Sequence, residues 1–216
     1  MVLLFVPGPP PGCPLCTCVP AGCRPEIEVR YSPAEEHTRS RIRGGRGAMR
    51  IEQYTAERRS DILDLSIRAW RPVFELYRPA VPAFVYDSFY PNGWEARQID
   101  DLGRVLDDEP ESVHLAVDGD ELLGWVSVRV HPEDSMGEIY VLAVDPRHQR
   151  RGVASALMNH ADDLVHAAGM TMMMVETGGD PGHAGARAVY EGAGYERWPV
   201  ARYFKNLAPR RGGGQS

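Results

Sequence analysis

The chain has 216 residues, 43% of them hydrophobic and 25% charged, with a formal charge of −6. This composition excludes a wholly disordered or collagen-like chain. No run nears the ~18–20 consecutive apolar residues that a membrane span needs. An acidic chain also lacks the basic face that non-specific nucleic-acid binding requires.

The averages hide a break at Met49. Residues 1–48 hold eight of the 18 prolines, six of the 22 glycines and all four cysteines. So little apolar material cannot offset the entropy of ordering, so 1–48 is expected to be a disordered extension or a mis-assigned start. The native start is expected at Met49, which N-terminal sequencing of the endogenous protein would test. A secretory leader is not expected, because the basic segment that opens one is missing. Cys13 and Cys16 form a CxxC, but Cys18 and Cys23 do not form a second pair, so no metal is expected. Residues 49–207 are expected to form one domain, and 208–216, with three consecutive glycines, a frayed tail. Cysteine confined to the extension fits a cytoplasmic location.

In chain order, 50–54 reads as a short strand. Thr55 then offers an N-cap for a helix through about Ala69, with Ile62, Leu65 and Ala69 at helical spacing. Pro72, Pro79 and Pro82 predict an aromatic-rich loop containing Phe74, Tyr77, Tyr86 and Trp94. A helix follows over 96–106. From Ser112 the period changes to two, and Asp118-Gly119 marks a hairpin turn. The run Ile139–Val144 is nearly all apolar, as in a strand buried on both faces. A helix starts near Val153 and stops at Gly169, and 171–177 reads as a buried strand whose three methionines fill core space. A short helix over 184–191 and one or two strands over 195–206 complete the domain. The fold class is α/β (α+β): a mixed, mostly antiparallel sheet with one parallel crossover over 137–177 and helices on both faces.

The segment Gln149-Arg150-Arg151-Gly152-Val153-Ala154 sits between a buried strand and an amphipathic helix. The first turn of a helix exposes unpaired N–H groups, and small residues let a phosphate come close to them. The Lys-[Ser/Thr] ending of a Walker loop is missing, and so is the GxGxxG dinucleotide fingerprint. The segment Glu138–Ala156 resembles the acyl-CoA-binding motif of the GNAT superfamily of N-acetyltransferases. His183-x-x-Ala186-x-x-x-Tyr190-x-x-x-Gly194-Tyr195 resembles that family's second block.

The resemblance implies a GNAT fold and acetyl-CoA as cosubstrate. By position it assigns Leu142, Ala143 and Val144 to the pantetheine arm. Gln149, Arg150, Arg151, Gly152, Val153, Ala154 and Ser155 fall at the pyrophosphate. His183 stands where the family usually has an asparagine on the coenzyme arm, which leaves its own contact open. Tyr190 matches the tyrosine that protonates the coenzyme sulfur, and Glu138 and Glu176 are alternative bases. The amide of Leu142 or Val144 would stabilise the thioester oxygen. With no cysteine in the domain, direct transfer in a ternary complex is expected. The expected acceptor is a small-molecule primary amine, drawn to Glu75, Asp87, Tyr77, Tyr86 and Trp94. A peptide amine, a non-catalytic acyl-CoA-binding module and a homodimer stay open, while no nucleic-acid or membrane partner is expected.

Overall fold

The computed structural model describes residues 49–207. The cysteine-rich segment and the terminal glycines lie outside the described residues. The elements are β1 (Arg50–Gln53), α1 (Arg59–Tyr77), α2 (Ala83–Phe89), α3 (Trp94–Asp108), β2 (Val113–Asp118) and β3 (Glu121–His131). They continue with β4 (Met136–Val144), α4 (Val153–Ala167), β5 (Met172–Val175) and α5 (Ala184–Gly192). The strands form one sheet in the order β1-β2-β3-β4-β5. Every pairing is antiparallel except β4 with β5. The mixed sheet with one parallel crossover, expected from the sequence, is what the fold shows.

Two cores lie on opposite faces of this sheet. On one, α1 and α3 bury Trp70, Phe74 and Leu102 against Leu115, Trp125, Val141 and Ala143. On the other, α4 and α5 bury Leu157, Ala161 and Tyr190 against Val126, Ile139 and Leu142. Each fully buried apolar side chain contributes about 1.5–3 kcal/mol. Gly137 lets α4 approach β4 closely, since a Cβ there would lie 2.2 Å from Val165 Cγ2. Beneath α1, Trp125 Nε1 donates to Ser66 Oγ at 2.9 Å, and Ser66 donates to the Ile62 carbonyl.

Five expectations need correction. The first helix does not stop near Ala69 but runs through Pro72 to Tyr77. The bond lost at proline is offset by Trp70 and Phe74, which bury on either side of it. Thr55 instead precedes a 3₁₀ turn and makes no side-chain cap bond. The supposed aromatic loop also contains α2. At the C-terminus, 193–207 forms no strand. Pro199 removes one donor from any ladder there, and Trp198 and Tyr203 are 85% and 90% exposed. Finally, β5 is shorter than read and lies at the sheet edge, with Met172 51% exposed rather than buried.

Candidate active site

The site is built around one irregularity in β4. Ser127 pairs with Val141 while the next residue, Val128, pairs with Ile139, which leaves Tyr140 as an extra residue. The bulge turns Tyr140 and Val141 to the same side, so both pack in the α1 core. Ile139 and Leu142 flank them in the α4 core. The parallel ladder with β5 ends at this point, its last rung being Ile139 opposite Val175. Beyond it, Tyr140–Val144 has no strand on its outer edge among the described residues.

Backbone groups along that edge follow the strand's alternation. The Asp145 N–H donates to the Leu123 carbonyl of β3 at 2.9 Å. The amides of Leu142 and Val144 therefore turn the other way, toward the gap. Gln149 Nε2 donates to the Val144 carbonyl at 3.3 Å, so this side chain braces the strand end.

The loop that follows leads into the uncapped start of α4. Arg150 has φ 59° and Gly152 φ 81°, both left-handed. A side chain at Gly152 would be strained, and no side chain caps the helix start. The first intrahelical bond runs from Ala156 N–H to the Gly152 carbonyl, ahead of which stand the N–H groups of Val153, Ala154 and Ser155. Bare amides at the positive end of a 15-residue helix favour an anion. Arg150 and Arg151 are exposed beside them. Arg147 is not available in the same way, because Asp145 holds it.

Asp145 was not singled out by sequence reasoning. Its side chain is fully buried and accepts from the Arg147 backbone, from Arg147 Nε and Nη2, and from Arg68 Nε and Nη2. Burial alone would push its carboxyl up, but these bonds outweigh it and hold the group well below the usual range. Arg68 lies on α1, so this ionised group ties the α1 layer to the loop that precedes α4. A partner 77 residues away leaves no local signal in the sequence.

The remaining expected residues fall at distinct places. Tyr190 is buried, and its hydroxyl is a buried polar atom without a partner among the described residues. Burial raises its pKa well above that of a free phenol, so it stays protonated. Glu138 is on the last rungs of the parallel ladder, on the same side as Tyr140, and its Oε2 meets His131 Nε2 at 2.9 Å. Glu176, just past β5, is 62% exposed and faces Arg202 Nη2 at 3.4 Å. His183 is buried, with Nδ1 2.6 Å from Asp180 Oδ2 and Nε2 without a partner among the described residues. Burial lowers its pKa, partly countered by Asp180.

Of the expected acceptor residues, Tyr77 and Tyr86 lie 6.2 Å apart by ring centroids. Trp94 stacks on Phe74 at 4.3 Å, which commits one of its faces to the core, while Glu75 and Asp87 are exposed. Among the described residues no group of three potential ligands could hold a metal ion, and no helix is long and apolar enough to cross a membrane.

The chain thus combines a sheet of this order, a bulged strand that parts from its parallel neighbour and an uncapped helix start. The family described as "Acetyltransferase (GNAT) family" matches residues 70–195. The chain belongs to that family. A mycothiol acetyltransferase of Kocuria rhizophila is 33% identical over 45% of this chain and 34% of its own length. One from Saccharopolyspora erythraea is 30% identical over 65% of this chain and 46% of its own. The chain thus spans less than half the length of these relatives. The ribosomal-protein-S18-alanine N-acetyltransferase of Escherichia coli shares the fold. Its TM-score is 0.51 at 17% identity, covering 75% of this chain and 87% of that one.

Proposed function

We propose that this protein transfers an acetyl group from acetyl-CoA to the primary amine of a small molecule, directly, within a ternary complex. The observation that carries the reading is the gap after Ile139, which opens onto the uncapped start of α4. The amides of Leu142 and Val144 would hold the pantetheine arm with the Ala143 backbone between them. Gly152–Ser155, with Arg150 and Arg151, would hold the pyrophosphate. The unpartnered hydroxyl of Tyr190 fits a bound group that the protein itself lacks, and His183 Nε2 supports a donor or acceptor role near the same cleft.

Acetyl-CoA supplies an activated acetyl group and a thiolate leaving group. The protein's part is to move two protons and steady one oxygen. Glu138 takes the proton from the acceptor's ammonium, so that a neutral amine attacks. It is favoured over Glu176 because it is part-buried beside the gap, whereas Glu176 is solvated and paired to Arg202. An amide on the open edge of β4 donates to the thioester oxygen. Tyr190 gives a proton to the departing sulfur. Glu138 lies on the α1 side of the sheet and Tyr190 in the α4 core, so base and acid flank the gap from opposite faces.

Calorimetry with acetyl-CoA, followed by thiol release with an amine panel, tests the reading. The panel would hold spermidine, glucosamine, a mycothiol-related amine and an alanine-starting peptide. Binding with thiol release from a small amine is the expected result. No binding at millimolar acetyl-CoA ends the reading, and binding without release from any amine replaces it with a non-catalytic acyl-CoA module.

A further inference from the structure

Glu138 sits among groups already paired with one another. Directly across the β3–β4 ladder from it is Arg129. That cation is committed: its Nε and Nη2 donate to the two carboxylate oxygens of Glu109, at the end of α3, at 2.7 and 2.6 Å. Its Cζ also lies 3.2 Å over the Tyr140 ring. On the β5 side the residue opposite Glu138 is Met174, which carries no charge. Tyr140 feels the charge of Glu138, and the side chain seen bonded to Glu138 is that of His131, the last residue of β3, with Nε2 at 2.9 Å from Oε2. The histidine side chain is 31% exposed and the carboxylate 13%.

We infer that His131 is a positioning residue for Glu138. Its Nε2–H bond to Oε2 fixes the carboxylate and leaves Oε1 for the acceptor's amine. As a donor, His131 holds the carboxylate in place and lets it act as a base. The inference rests on the reading of Glu138 as the base.

Two measurements test it on the full chain. The first, the nitrogen chemical shift of the His131 ring by NMR, needs no acceptor. Glu138→Gln replaces the facing carboxylate and should move the Nε2 signal. An unchanged Nε2 signal overturns the contact. The second is thiol release with the best amine of the panel above. His131→Ala should lower kcat about tenfold, a fraction of the 10²–10⁴ that a general base contributes, with acetyl-CoA affinity unchanged. His131→Gln keeps an N–H donor and should restore turnover. A His131→Gln variant as slow as His131→Ala overturns the proposal. Wild-type turnover in Glu138→Gln removes the base and the proposal together. Loss of turnover in Glu138→Gln, with His131→Ala unaffected, removes the role of His131 alone.

Discussion

The two faces of the sheet are built from different materials. The α4 face is packed mainly with valine, leucine, isoleucine, alanine and methionine, with Tyr190 and Tyr195 set among them. The α1 face is packed with aromatic rings: Phe74 meets Tyr77, Tyr90 and Trp94, and Trp70 and Trp125 are almost wholly buried. Aliphatic side chains pack by volume and let a helix slide close to a strand, as α4 does at Gly137. Rings pack by angle, through edge contacts that fix neighbours relative to one another. In the function proposed above, the aliphatic face would back the cofactor and the aromatic face would sort the acceptor's side groups.

The sharpest break between the faces should come from Tyr190→Phe. Turnover should fall by about 10²–10⁴, the usual contribution of a general acid. Thermal stability and acetyl-CoA affinity should hold, because the hydroxyl removed has no protein partner. Stopped-flow thiol release beside calorimetry reads both, and undiminished turnover would take Tyr190 out of the reaction.

Next in size is Trp70→Ala, expected to cost about 3–5 kcal/mol of stability. Leu157→Ala, on the opposite face, should cost about 2–5 kcal/mol. If the faces divide the work as described, a tolerated Trp70 variant keeps acetyl-CoA binding and changes amine preference. A Trp70 variant that loses acetyl-CoA instead would show that the two cores are not separable.

Acid should loosen the α4 face first. It alone buries a histidine pair, with His160 Nε2 3.1 Å from His114 Nδ1. Burial, with the charge of His160, lowers the pKa of His114 from 6.5 to about 4. Between those values the unfolded chain binds a proton that folded His114 refuses. Stability is therefore full above the unfolded value and falls as pH drops through the window, by about 2–3 kcal/mol. Hydrogen exchange should show α4 amides losing protection before those of α1, and His114→Asn should flatten the slope. Equal loss on both faces would contradict the assignment.

The smallest effect is expected at Gly152→Val. A left-handed φ of 81° in a residue with a Cβ costs about 1–2 kcal/mol. Acetyl-CoA affinity should fall about tenfold, the same energy expressed in binding. Unchanged affinity by calorimetry would mean that the turn does not hold the pyrophosphate.

The same contrast explains what could be read in the sequence. Val153, Leu157, Ala161 and Val165 recur at helical spacing after a continuous apolar strand, so the strand and helix of the α4 face were plain. The aromatic face was not. Pro72 reads as a stop, yet the helix passes through it because of ring contacts with distant residues. Asp145, Arg68 and His131 acquire meaning only through partners on other elements. The run over 195–206 has the composition of a strand, but no ladder reaches it among the described residues.

The extra residue at Tyr140 acts as a phase shift in β4. Deleting it would let Val141 follow Ile139 in plain alternation, still opposite Ser127, so Leu142 and Ala143 would keep the sides they now occupy. What the deletion would remove is one ring from the α1 core and the local bend that a bulge gives its strand, at the point where the ladder with β5 ends. One inserted residue thus marks where β4 stops being an inner rung of the sheet and becomes its open edge.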